Sequence, residues 1–242
     1  MKPYQQIPIQ ECGEPLIAIP LEKFAVESPH PYEKLGADYQ GRSPYYLRQG
    51  VLTALIKTQT YLQQRHRGWK IKIFDAYRPV EVQQFMVDYT FAWLLQQRRL
   101  EKENLSGEQR QKLLEEVYQI WAVPSDNPTT PPPHSTGAAV DLTLVDEMGN
   151  TLDMGGEIDE LSPRSHPDYY ALSTSAEALS YHARRQLLYE VMQEAGFCRH
   201  LGEWWHFSLG DQMWAWQQNR DNSNKFLTAR YGRVDQETLT DC

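Results

Sequence analysis

Cysteine is scarce in this chain of 242 residues: Cys12, Cys198 and Cys242 are the three, widely spaced and without a CxxC pair. That excludes a disulfide framework and a thiolate zinc site. Long apolar runs are also missing. No stretch approaches the roughly 18–20 uninterrupted apolar residues of a membrane span. The opening segment MKPYQQIPIQECGEPLIAIP is broken by prolines and charges and lacks a run of signal-peptide length. An excess of positive charge is lacking too. Lys and Arg number 24 against 32 Asp and Glu, a formal net charge of −8. This argues against a nucleic-acid partner, which needs a basic surface to neutralise phosphates. With no membrane partner either, the expectation is a cytoplasmic protein. No internal repeat is found. Aromatic residues, by contrast, are plentiful, with 7 Trp, 14 Tyr and 7 Phe. Each buries a large area, so a sizeable core is within reach.

Periodicity places the elements. Residues 1–42 show no sustained period and read as extended chain and loops with one short strand. Ser43-Pro44 reads as an N-cap and first helical residue, opening a helix with Leu47, Val51, Leu52, Leu55, Ile56 and Leu62 on one face and Gly68 closing it. Trp69, Ile71 and Ile73 alternate with Lys70 and Lys72, the period of a half-buried strand. It runs into Asp75-Ala76-Tyr77-Arg78-Pro79, where Pro79 begins a helix with Val82, Phe85, Met86, Tyr89 and Trp93 as its buried stripe. The charged segment 96–121 reads as a helical excursion, with Ser106 as N-cap and Leu113, Leu114, Val117, Tyr118 and Trp121 on the apolar face. Its amphipathic part could serve as an interface between copies of the chain; the sequence leaves the oligomeric state open. A proline loop precedes a strand from Ala138 to Leu144. Residues 153–173 look irregular, Thr174 and Glu177 resemble a capping box opening a helix to Gly196, and a last strand spans Glu203 to Leu209. This irregular alternation predicts an α+β fold with a central, mostly antiparallel sheet flanked by helices.

Two histidines of the seven have unusual company. His134 precedes Asp141 in His134-Ser135-Thr136-Gly137-Ala138-Ala139-Val140-Asp141. If this enters a strand, Ala139, Asp141 and Thr143 share one face and the aliphatic Val140, Leu142 and Leu144 the other. On spacing alone, Asp141 equally fits a turn cap and His134 an exposed histidine. Glu203 and His206 flank two tryptophans, an acid and an imidazole in apolar surroundings. Positions i and i+3 of an ideal strand face opposite ways, so both reach one pocket only if Glu203 stands at the strand's start, just after Gly202. Together His134, Asp141 and His206 form a two-imidazole, one-carboxylate set of the kind that holds hydrolytic zinc with one position left to water. Glu203 would then be the general base for that water, and Arg78 would stabilise the oxyanion formed at an amide carbonyl.

The pieces DAYRP (75–79), HSTGAAVD (134–141) followed by LTL, MGGEIDELSPRSH (154–166) and EWWH (203–206) resemble, in order, the motifs of the zinc D-alanyl-D-alanine dipeptidases of the vancomycin-resistance type. The likeness spans roughly 40–210. It implies a hedgehog/DD-peptidase-like fold, one Zn2+ per chain on His134, Asp141 and His206, Glu203 as base and Arg78 as transition-state stabiliser. It further implies that Asp159 receives the free ammonium group of a small dipeptide substrate. Tyr32 and Tyr46 match two substrate-contacting tyrosines of the family by spacing alone. One departure stands out. Pro132 occupies the position, two before the zinc histidine, where the family carries a serine expected to help hold the substrate's carboxylate; proline offers neither hydroxyl nor N–H.

Because positions 78, 134, 141 and 206 must converge on one pocket, residues 1–242 are read as one zinc dipeptidase domain. The expected reaction is hydrolysis of D-alanyl-D-alanine and related free dipeptides. A D,D- or L,D-carboxypeptidase acting on cell-wall peptides shares the zinc set, and a zinc-stabilised binding module without turnover is the reading from a different class. Glu203 and Arg78 weigh against the last, since a non-catalytic site needs neither.

Overall fold

The strand fed by the HSTGAAVD segment, β5 (Ala139–Val145), forms the middle of the main sheet. The structure, a computed structural model, describes residues 2–221 and 226–234. In chain order its strands are β1 (Leu16–Ala18), β2 (Ala25–Val26), β3 (Tyr46–Arg48), β4 (Lys70–Asp75), β5, β6 (Cys198–Arg199) and β7 (His206–Ser208). Its α-helices are α1 (Pro31–Lys34), α2 (Gln49–Arg65), α3 (Val80–Arg98), α4 (Gly107–Ile120), α5 (Ala176–Glu194) and α6 (Gln212–Asp221). Five strands form the main sheet in the order β2-β4-β5-β7-β6, and β1 pairs with β3 in a separate ribbon. Only β2 with β4 is parallel in the main sheet; the other three pairings are antiparallel, as expected of an α+β fold. Cys12 and Cys198 are free thiols, and Cys242 lies outside the described residues.

Val140, Leu142 and Leu144 are fully buried in a core shared with Ile71 and Ile73 of β4, Leu55 and Leu62 of α2, and Leu188 and Val191 of α5. The alternation therefore turns Asp141 to the opposite face of the sheet. A second cluster joins Val82, Met86, Phe91 and Leu94 of α3 to Leu113 and Val117 of α4 and to Trp121. The charged excursion is thus a helix docked by its apolar stripe. Its N-cap is the expected Ser106, whose Oγ accepts from Gln109 N at 3.1 Å while Gln109 Oε1 accepts from Ser106 N at 2.8 Å.

Five expectations need correction. Residues 1–42 hold two short strands, β1 and β2, and the one-turn helix α1 rather than a single strand. Leu47 belongs to β3, not to a helix: Ser43 Oγ accepts from Tyr45 N at 3.1 Å and caps a local turn, and pairing with β1 keeps the chain extended until Gln49. On α3 Tyr89 and Trp93 are exposed, because packing against α4 rotates the buried face onto Val87, Thr90 and Leu94. The cap of α5 is Ser175, whose hydroxyl accepts from Ala178 N, one residue beyond the expected Thr174. The last strand is shorter than expected, and Glu203 precedes it.

Gly137 lies in the left-handed region at φ 69°, ends the 3-10 turn Pro133–Thr136 and accepts from Arg48 N at 2.9 Å. A Cβ there would collide with the Leu16 side chain. Gly137→Ala is expected to lower stability by about 1–3 kcal/mol, from the left-handed backbone and the overpacking, read as a fall in the urea midpoint.

Candidate active site

Three neighbouring strands place one residue each in a row across the sheet: Asp75 on β4 pairs with Asp141 on β5, which pairs with His206 on β7. Direct pairing brings Asp141 Oδ1 to 3.0 Å from His206 Nδ1. A bulge delivers Asp75. Between Ile73 and Asp75 the register with β5 shifts, so Ile73 faces the aliphatic core with Leu142 while Asp75 shares the face of Asp141. His134 comes from the 3-10 turn above the row. Its Nδ1 lies 2.8 Å from Ala76 O, which fixes the tautomer with a bare Nε2; that atom sits 3.2 Å from Asp141 Oδ2 and 3.1 Å from His206 Nδ1.

The ligand atoms of His134, Asp141 and His206 lie within 4.8 Å of one another, and all three residues are buried. Two imidazole nitrogens facing each other across a carboxylate are what a cation satisfies, and hydrogen bonding at the outer edge of the rings orients them for it. On the far side of His206, Nε2 stands 3.4 Å from Ser208 Oγ, which donates to Asp211 Oδ2 at 2.8 Å. The donor set fits a zinc ion.

Arg78 follows β4 and is held on every side. Its Nε donates to Asp75 Oδ2 at 2.9 Å and its Nη1 to Gln83 Oε1 at 2.8 Å. Its Nη2 reaches Tyr32 Oη at 3.0 Å and Asp141 Oδ2 at 3.3 Å. The guanidinium also lies 4.9 Å from the ring centres of Tyr32 and Trp121. Burial alone would raise the Asp75 carboxyl, but Arg78 overrides it and holds the group down at about 2. Tyr32 relays the contact outward, donating to Asp159 Oδ2 at 2.8 Å.

Asp159 and Glu203 both line the pocket, on separate loops. Burial, followed by the field of Asp141, pushes Asp159 up to about 7 and Glu203 well above the usual carboxylate range. Glu203 Oε1 lies 3.3 Å from His200 Nδ1 and Oε2 3.9 Å from His206 Nδ1. The loop bearing Asp159 is tied down by the buried Arg185, whose Nε donates to Met154 O at 2.7 Å and Nη1 to His166 O at 3.0 Å. Trp204 N, next to Glu203, donates to Ser165 O at 3.0 Å. The pocket is small, about 30 Å³, with room for water between these side chains.

All six residues singled out in the sequence meet at this pocket. Tyr32 joins them through Arg78 and Asp159, whereas Tyr46 pairs with Ala18 in the β1–β3 ribbon. Sequence reasoning missed Asp75, although it stands in the DAYRP motif, and it missed Gln83 and His200. It also gave the 96–121 segment no role, yet Trp121 at the end of α4 forms a wall of the pocket. The signal available was a tryptophan ending an otherwise charged amphipathic helix.

A family model described as "D-ala-D-ala dipeptidase" of the M15 peptidases matches residues 25–225. The chain belongs to this family of peptidases. A protein of Synechocystis named D-alanyl-D-alanine dipeptidase is 54% identical over 241 residues, covering 97% of this chain and 98% of the relative. Another of that name from Escherichia coli is 32% identical over 163 residues, covering 67% of this chain and 66% of the relative. Among solved structures, the LdcB LD-carboxypeptidase superposes with a TM-score of 0.45 at 14% identity, over 91% of this chain and 77% of that one. No helix among the described residues is long and apolar enough to cross a membrane.

The buried Asp211, pushed up to about 6 chiefly by burial from an ordinary 3.8, supports a pH test. A raised carboxyl holds its proton more tightly in the folded chain. The stability it brings is fully present below about pH 4 and lost as pH rises through 6, by up to about 3 kcal/mol. Asp211→Asn, measured in metal-free protein, is therefore expected to lose less stability than the parent between pH 4.5 and 7 in urea titrations.

Proposed function

We propose that this enzyme hydrolyses D-alanyl-D-alanine and related free dipeptides with a zinc ion held by His134, Asp141 and His206. The observation carrying this reading is that two imidazoles and a carboxylate converge in a small pocket that two further acids, Glu203 and Asp159, also line, in a member of a dipeptidase family. Bound there, zinc supplies Lewis-acid polarisation of the scissile carbonyl and of the attacking water.

Glu203 is the general base. Its raised proton affinity suits it to take a proton from water near neutral pH and return it to the leaving amine. Arg78 stabilises the oxyanion; its Nη1 carries a second hydrogen beyond the one given to Gln83, and Asp75 holds the guanidinium in place. Asp159 takes the ammonium group of the substrate. A cation docking there compensates the burial that makes its charge costly, so an unblocked amino end is selected over an acylated one. Supply of these groups by β4, β5, β7 and the turns between them supports reading residues 1–242 as one domain.

Purified protein is expected to cleave D-Ala-D-Ala and spare both its L,L isomer and an N-acylated peptide ending in D-Ala-D-Ala, with activity lost to a chelator and restored by zinc. Cleavage of the acylated peptide would point instead to a carboxypeptidase, and zinc binding without turnover to a binding module. Glu203→Ala should keep the metal, measured by elemental analysis, and lose about 10²–10⁴-fold in kcat; loss of zinc would mean that Glu203 is a ligand. Asp159→Ala should raise KM for the free dipeptide, and an unchanged KM would remove the ammonium role.

A further inference from the structure

A free dipeptide is a zwitterion, so a pocket that takes its ammonium group at one end needs a partner for its carboxylate at the other. Pro133, which lines the pocket, has neither hydroxyl nor N–H to offer. Arg78 is committed to Asp75, Gln83, Tyr32 and Asp141, and its one remaining hydrogen to the oxyanion. One further cation lines the cavity: Lys2.

Lys2 stands on the Glu203 side. Its charge is felt by Glu203 and His200, while the charged groups acting most on Asp159 are Asp141, Arg78 and Asp75. It is half-buried and makes no ion pair among the described residues, so its charge is partly desolvated with only the more distant field of Glu203 to offset the cost. Burial accordingly lowers its proton affinity, against the pull of Glu203.

The segment holding Lys2 is built into the fold. Lys2 N donates to Gln5 Oε1 at 2.8 Å at the head of the 3-10 turn Pro3–Gln6. Tyr4 and Ile7 are buried, and Gln212 at the start of α6 donates from Nε2 to Ile7 O at 2.6 Å and to Thr129 O at 3.0 Å. The same side-chain amide thus ties the turn bearing Lys2 to the loop that leads to the prolines.

We propose that Lys2 is the specificity residue that receives the substrate's terminal carboxylate. The inference rests on the dipeptidase reading above. Asp159 and Lys2 then form the two poles of the pocket, with the scissile bond between them beside His134, Asp141 and His206.

The test compares D-Ala-D-Ala with its C-terminal amide on the zinc-loaded full chain. Wild type is expected to prefer the free acid. Lys2→Met is expected to cut kcat/KM for the acid about ten- to a hundredfold, through KM, while the amide loses at most a few-fold, collapsing the preference. Lys2→Arg, which keeps the charge, should recover most of it, and this separates carboxylate recognition from disturbance of the turn. An acid-to-amide ratio unchanged in Lys2→Met, or a wild type indifferent to the amide, would overturn the role of Lys2 while leaving the dipeptidase intact. A wild type that cleaves neither compound would overturn both.

Discussion

The buried pair of Asp75 and Arg78 is the interaction on which the pocket depends. Asp75 is fully buried and Arg78 is 3% exposed, so each is tolerable only because of the other. Removing one partner of such a pair costs about 3–5 kcal/mol, since the survivor is left charged and unsolvated. Asp75 is also approached by His30 Nε2 at 3.1 Å, His134 Nδ1 at 3.3 Å and Tyr39 Oη at 3.4 Å. One carboxylate therefore orients a guanidinium and a histidine of the pocket while tying both to the segment around α1. Arg78 spreads the constraint further, through Tyr32 to Asp159 and directly to Asp141.

Charge in this cavity is crowded and of two kinds. Asp75 and Asp141 are held ionised by cations and imidazoles fixed in the fold, whereas Asp159 and Glu203 face the cavity and are pushed toward their neutral forms by burial. In the proposed reaction the second pair meets mobile partners, a substrate cation in one case and a transferred proton in the other. Groups whose environments push their proton affinities apart can divide structural from chemical duty in this way.

Much of this was legible in the sequence because the motifs are local. His134 to Asp141 is a single turn running into a single strand, and the alternation of Val140, Leu142 and Leu144 already says which face Asp141 takes. Glu203 and His206 were legible once the strand was allowed to begin at His206. What escaped came from contacts distant in sequence. Lys2 reaches the site only because Gln212 anchors its turn, Trp121 only because α4 docks on α3, and Asp75 only because of a bulge that no periodicity announces. The helix boundaries misjudged near Leu47 and Thr174 moved for a similar reason. Strand pairing with β1 settled the first, and a choice between adjacent hydroxyls settled the second.

The bulge at Phe74 has a consequence for how this chain can vary. Strand β4 reads with one parity through Ile71 and Ile73 and with the other at Asp75. The extra residue acts as a phase shifter between an oily half of the strand and an ionic one. Pairing β4 residue for residue, without the bulge, would set Phe74 opposite Asp141 and turn the Asp75 carboxylate onto the face where Leu142 and Leu144 meet α2 and α5, stripping Arg78 of its counterion in the same move. What the bulge sets is thus phase: the carboxylate, and not the aromatic residue before it, stands opposite Asp141.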